Sequence, residues 1–224
     1  MKRFIFLSLL FIPATSFSQI VRPDPVVDMT TAGFREFKPK PDAAVEAVYI
    51  NDKWLNGTIV IAPNSEVKDI PIKYDVKNNL LEIQTKDGIK IANKDKLKSF
   101  STKDALEEHH YVNSDDLKIK GLTGIAEVLV PGKLPLYGGI HLRKIPANYN
   151  PAMDVGSKVD VFVIDESLFL IRDNEAFDIT KAGKKILKYF GDKSSAIESY
   201  VKQNKLSYKE KSDIIKIVEE FNRN

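Results

Sequence analysis

From residue 47 to residue 173 the chain repeats one pattern, and that pattern restricts its fold more than any other feature. Short runs rich in Val, Ile, Leu, Tyr and Phe alternate with pairs of turn-forming residues. The first runs are AVYIN (47–51), TIVIA (58–62), VKDIPIKYDV (67–76), LLEIQT (80–85), IKIA (89–92) and a run over 97–102. Asn56-Gly57, Asn78-Asn79 and Asp87-Gly88 supply turns between them, the last a strong hairpin signal. Connections this short join antiparallel neighbours, because a parallel pair needs a long crossover. Pro71 lacks an amide hydrogen, so its run is expected at a sheet edge or a bulge. GIAEVLVPG (124–132) and LPLYGGIHLRKI (134–145) follow, turning at Pro131-Gly132, with Gly138-Gly139 expected to bend or bulge the second. VDVFVID (159–165) and LFLIRD (168–173) read as the last hairpin.

Beyond residue 178 the period changes from 2 to 3.6. Thr180 is placed to cap a helix carrying Ile186, Leu187 and Phe190 and stopped by Gly191. Ser195 with Glu198, and Ser207 with Glu210, fit capping boxes for two more. The last of these sets Ile214, Ile217, Val218 and Phe221 on one face. Three short helices with one apolar stripe each need a surface to pack on. The expected fold class is therefore α+β. An antiparallel β-rich body over 45–175, a meander, sandwich or partly closed barrel, is followed by a three-helix C-terminal segment over 178–222 packed on it.

The first 44 residues read differently. Lys2 and Arg3, the apolar run FIFLSLLFI over 4–12, and Ser16 and Ser18 form the pattern of a secretory signal cleaved after Ser18. The apolar run is about half the roughly 20 residues that a membrane span needs. Residues 19–44 hold Pro23, Pro25, Pro39 and Pro41 without apolar periodicity and read as an extended leader. The chain has no cysteine, which excludes disulfides, a thiolate nucleophile, cysteine-based metal sites and a lipid-modified N-terminal Cys. The 34 basic residues include Lys2 and Arg3; without them 32 face 31 acidic ones. A balance this even argues against nucleic acid as a partner. Over 181–224, 11 basic residues face 6 acidic ones, a modest excess that suits a solvated helix face.

The chain resembles a group of uncharacterised exported proteins of Bacteroidetes-type bacteria. The resemblance rests on the signal ending before Gln19, LNGTIVI, EVLVPGKLPLY (127–137), NYNPAMDVGSK (148–158), and the closing block from KKILKYFGDK to NKLSYKEKSDIIKIVEEFN. It implies an envelope location and a β-rich body with a helical tail. It carries no activity and no site residues.

Site-like side chains concentrate in EEHHY, residues 107–111. In a strand, neighbours point to opposite faces, so Glu108, His110 and Val112 share one face and Glu107, His109 and Tyr111 the other. Either Glu–His pair supplies two of the three or four ligands that zinc needs, and His141 is the one further histidine. Neither pair is expected to face a cleft, and no metal or other cofactor is expected. Asp115-Asp116 reads as a turn, while Asp160 and Asp165 bracket a strand. Signatures for a serine nucleophile elbow, a dinucleotide fold or a phosphate-binding loop are absent. Trp54, Tyr137 and Tyr149 lie near turn-forming residues, where aromatics cap a core or anchor a partner.

Candidate binding residues are thus Trp54, Glu108, His110, Tyr137 and His141. The expected function is that of an exported, non-catalytic envelope protein that binds an envelope protein or a glycan. The alternative is a periplasmic hydrolase built on carboxylates and histidine. A concave pocket with convergent polar groups that holds Glu108 or His110 would put the hydrolase ahead of the binding module.

Overall fold

The computed structural model describes residues 33–36, 47–61, 65–93 and 95–223. The signal reading and most of the leader lie outside these residues. The described part holds strands β1 (Phe34–Glu36), β2 (Leu55–Ile61), β3 (Ser65–Asp75), β4 (Leu80–Thr85), β5 (Gly88–Ala92) and β6 (Leu97–Lys103). It continues with β7 (Glu108–Asn113), a single turn α1 (Ser114–Leu117), β8 (Ile125–Val130), β9 (Leu136–Ile145), β10 (Val161–Arg172) and β11 (Glu175–Asp178). A 3-10 segment (Gly183–Lys193), α2 (Ser194–Gln203) and α3 (Lys211–Arg223) close it.

The strands form one 11-stranded antiparallel sheet in the order β1-β5-β4-β3-β2-β6-β7-β8-β9-β10-β11. Short turns produce the sequential pairs, as the hairpin signals require. Phe34–Glu36 falls within the expected leader but pairs with Lys90–Ala92, and Phe34 is buried in the core. A three-residue strand is too short to show a period in sequence.

Three local expectations are corrected. AVYIN contributes an isolated bridge, Tyr49 to Asp75, rather than a strand. Asn56-Gly57 is inside β2, not in a turn. A Cβ on Gly57 would overlap the carbonyl of Ser101, so glycine here permits close approach of β6. The third correction matters most for function: residues 161–172 are one strand, not a hairpin. Its register against β9 runs unbroken from Val161 opposite Ile145 to Leu170 opposite Leu136. Gly138 and Gly139 show no bulge in that register either; they make room for the side chains of Glu166 and Phe169. Pro71 pairs with Asn56 on one side, and the β4 ladder begins beyond it at Ile72, so its missing hydrogen costs no ladder bond to β4.

Apolar residues gather in separate clusters. Ile59, Ile61, Ile72, Leu81, Ile83, Phe100 and Tyr111 fill one beneath β1–β7, with Phe34 from the outermost strand packed in. Phe100 stacks between Tyr74 and Tyr111, with ring centroids 5.5 and 4.7 Å away. A second cluster joins Val130, Leu136, Leu168 and Leu170 of the sheet to Ile186, Phe190, Ile197, Ile214, Ile217 and Val218 of the helical segment. Ile119, Leu122, Ala126 and Ile171 form a small third one, with Tyr137 half-buried against it.

The helical segment starts differently from its sequence signals. Gly183–Lys193 is 3-10, interrupted at Gly191 (φ 58°, ψ −128°), where only glycine sits without strain. Thr180 does not cap it; its Oγ1 accepts a hydrogen bond from Leu168 N of β10 at 2.9 Å. Glu198 does not reach back to Ser195 but pairs with Lys184 at 2.8 Å and Lys202 at 2.9 Å. At the start of α3 the returning carboxylate is that of Asp213, which accepts from Ser207 N at 2.9 Å. Asp115-Asp116 sits in α1, entered through Asn113, whose side chain accepts from Asp115 N. Among the described residues no helix is long and apolar enough to cross a membrane.

Candidate binding groove and the charge network beside it

Strand β11 pairs with β10 only over Phe169–Arg172. The ladder ends where Ile179 N donates to Leu168 O at 2.8 Å and Thr180 Oγ1 takes the Leu168 amide. From there toward Val161, β10 has β9 on one side and no strand on the other. After Thr180 the chain turns into the 3-10 segment instead of continuing along that edge. The result is an open groove of about 750 Å³. One wall is β10 at Ile164, Asp165, Glu166 and Ser167, with His141 on the neighbouring strand. The other comprises Asp178, Thr180, Lys181, Ala182, Lys185, Lys188 and Tyr189.

The charges in the groove are unevenly neutralised. Asp165 is held by Arg143 (Nε to Oδ2, 2.6 Å), and that hydrogen bond, with the adjacent positive charge, keeps its carboxyl below the usual carboxylate range. Glu166 accepts from Lys211 Nζ at 2.8 and 2.9 Å. Asp178 accepts from Thr180 N at 2.8 Å. Lys181, Lys185 and Lys188 are exposed, and among the described residues none has a carboxylate partner. Lys188 lies 4.7 Å over the ring of Tyr189. That wall therefore presents three cations against one carboxylate, Asp178, which meets a backbone amide and, among the described residues, no cation, while the two carboxylates of the facing strand are already paired.

Glu166 also begins a chain of polar contacts that leads to EEHHY. Lys211 of α3 lies 3.5 Å from Glu127 of β8, and Glu127 Oε1 lies 2.6 Å from His109 Nδ1. His109 Nε2 faces Asp104 at 3.8 Å. Burial opposes the charge on Lys211, but its bonds to Glu166 and the field of Glu127 outweigh this and raise its pKa. Asp104 is held low mainly by accepting the backbone N–H groups of Glu107 and Leu106. The two carboxylates address opposite nitrogens of His109, so they cannot join one of its nitrogens around a single ion. Among the described residues no group of three His, Asp or Glu side chains is placed to hold a metal. The geometry ties β7, β8, β10 and α3 together.

The alternation expected in EEHHY holds: His109 and Tyr111 turn toward the covered face, and Glu108 and His110 toward the exposed one. The expectation that neither pair meets a concavity does not hold for Glu108 and His110. They border a hollow of about 360 Å³ with Glu66, Ser99, Ser101 and Thr58. Glu66 is paired with Lys68 at 3.0 Å, and Glu108 and His110 are exposed. With both side chains exposed, a group reacting between them would stay in contact with water.

His141 is the expected site residue that enters the groove. Tyr137 packs on the small core cluster, and burial raises its pKa. Trp54 lies elsewhere, 5.7 Å from Lys73 Nζ, which itself sits 3.8 Å over Tyr49. Glu82 is buried there, accepting from the Tyr49 hydroxyl at 3.0 Å. Tyr149 is bound to Asp154 at 2.7 Å in the exposed loop after β9. Sequence reasoning passed over Lys181, Lys185 and Lys188, whose excess of positive charge reads there as a solvated face. It also passed over the edge of β10, which a mistaken hairpin boundary concealed. No family model, curated protein or solved structure matches the chain.

Proposed function

We propose that the protein is an exported, non-catalytic cell-envelope binding module that holds its ligand in the groove between β10 and the 3-10 segment. One observation carries this reading: about 750 Å³ of open groove joins an uncovered strand edge to three unneutralised lysines. Export follows from the charged start, the short apolar run and the small residues before Gln19, and agrees with the resemblance to exported proteins. In this reading the β1–β7 half, curled around its own core, is a partly closed barrel that acts as a rigid scaffold. The helical segment of three parts supplies one wall of the site. The ligand is an envelope protein or a glycan.

The test combines binding and turnover. The purified chain beginning at Gln19 is applied to peptide and glycan arrays and to ester, phosphate-ester, glycoside and peptide reporter substrates. The expected result is saturable binding that Lys181→Glu with Lys185→Glu weakens, without turnover. A second reading, hydrolysis at Glu108 and His110, is favoured by the hollow those residues border with Glu66. Turnover that disappears in both Glu108→Ala and His110→Ala establishes the second reading and overturns the first.

A further inference from the structure

The backbone of β10 gives the groove a more specific meaning. In a strand, a residue's N–H and C=O point to the same side, and the side alternates along the chain. Leu168 directs both groups toward β11 and Thr180, whereas Ile171 N points the opposite way to Pro135 O. The register against β9 is unbroken from Val161 to Leu170. Phe162, Ile164 and Glu166 therefore aim their amide hydrogens and carbonyls away from β9, where no backbone group of the described residues meets them; Ile164 and Glu166 border the groove, and Phe162 lies just past its lining, with Lys77 Nζ 4.2 Å over its ring. An uncovered edge of this kind is a template for another strand, and proteins usually blunt or cover such edges.

We infer that the groove binds an acidic peptide segment in extended form, added as a strand to the free edge of β10 with its carboxylates against Lys181, Lys185 and Lys188. This rests on the binding-module reading above and names the ligand class of that same site. Charge selects the occupant. Asp165 and Glu166 are already held by Arg143 and Lys211, and Asp178, without a cation partner among the described residues, offsets one of the three lysines, so the groove keeps a net positive wall. In an added strand every second side chain faces the same way. Acidic residues at alternate positions would meet the lysines, and the exposed apolar surface of Ile164 suits an aliphatic neighbour. A basic segment would meet like charge, and a neutral one would leave the lysines without partners.

The probe is a capped peptide of alternating valine and glutamate, compared with its valine–lysine counterpart and with a version N-methylated at alternate amides. Binding is read by fluorescence polarisation, and amide exchange is followed by NMR on the chain beginning at Gln19. The acidic peptide is expected to bind, to slow exchange at Phe162, Ile164 and Glu166, and to weaken as salt rises. The lysine and N-methylated peptides are expected to lose binding. Ile164→Pro tests the edge itself: proline is tolerated where the amide hydrogen faces away from the neighbouring strand, as it does here. With that donor lost and the edge distorted, affinity should fall at least about tenfold, the scale of one or two net hydrogen bonds. Lys181→Glu with Lys185→Glu leaves the edge intact and should weaken the acidic peptide while strengthening the lysine one.

The inference is overturned if the acidic peptide binds without protecting those three amides, or if Ile164→Pro keeps a native circular dichroism spectrum and full affinity. It is also overturned if the protein alone forms a dimer that Ile164→Pro dissolves, because a second copy is then the occupant. Failure of the peptide while an acidic oligosaccharide binds and depends on the lysines removes the inference but keeps the binding module. Absence of every ligand together with turnover at Glu108 and His110 removes both.

Discussion

Replacing Lys211 by methionine keeps most of the side chain's length and removes the cation between Glu166, at 2.8 Å, and Glu127, at 3.5 Å. The Glu127 and Glu166 side chains are 14% and 31% exposed, so they would be left close together with limited access to water. Removing one partner of a fully buried pair costs about 3–5 kcal/mol, whereas an exposed pair contributes about 0–1 kcal/mol. Lys211 is 41% exposed, which sets the expected loss between these limits, at about 1–2 kcal/mol. For a chain of this size each kcal/mol lowers Tm by about 2–4 °C, giving a drop of about 2–8 °C. The folded-state pKa of Lys211 lies above its ordinary 10.5, so the stabilisation is fully present below that pH and is lost as pH rises through the folded value. Thermal unfolding at pH 7 would be followed for the parent, Lys211→Met, Glu166→Gln and the double variant. Coupling between the two sites should exceed the roughly 0.3–0.5 kcal/mol within which independent sites add. An unchanged Tm for Lys211→Met, or strict additivity, would refute the view that this contact fastens α3 to the sheet.

Two other outcomes follow from the packing around Gly138 and Glu82. Gly138→Ala places a methyl group on the movable end of Glu166, a side chain 31% exposed, displaces it from Lys211 and should destabilise the fold by about 0–1 kcal/mol; the penalty should shrink in the Lys211→Met background, measured by chemical unfolding. Burial raises the pKa of Glu82 above its ordinary 4.5, with Asp75 adding to the rise and the Tyr49 hydroxyl and Lys73 opposing it. The native state then holds the proton more tightly than the unfolded one, so stability falls as pH rises from about 4.5 through the folded value and levels off above it. Glu82→Gln cannot ionise, so its Tm relative to the parent should be higher at pH 7 than at pH 4. A Tm difference that stays constant across that range would show that the Glu82 proton is not linked to folding.

Much of the architecture was legible because it depends on local chemistry. Asp87-Gly88 makes its hairpin between β4 and β5, the alternation of EEHHY assigns its faces, and Ile214, Ile217, Val218 and Phe221 lie along the buried side of α3. The errors arose where a long-range partner overruled a local signal. Asn56-Gly57 has turn chemistry, but β6 approaches too closely there for any side chain. Glu166-Ser167 breaks an apolar run, yet ten residues of β9 hold β10 straight across it. Ser195 and Glu198 are spaced as a cap, but the carboxylate is taken by two lysines. At the candidate site, His141 was found by residue type alone, while the histidine with fixed carboxylate partners is His109 rather than His110.

The sequence by itself determined the antiparallel pairing, the change from strand to helix near residue 178 and the absence of any cysteine chemistry, since period, turn type and composition act over a few residues. Tertiary structure alone decided that the β10 edge beside the lysines stays open. That depends on where β11 stops, on Thr180 taking the last amide, and on the turn that carries Lys181, Lys185 and Lys188 past the end of the ladder. None of these is encoded in a spacing; each follows from which backbone groups remain unpaired once all eleven strands have found their neighbours.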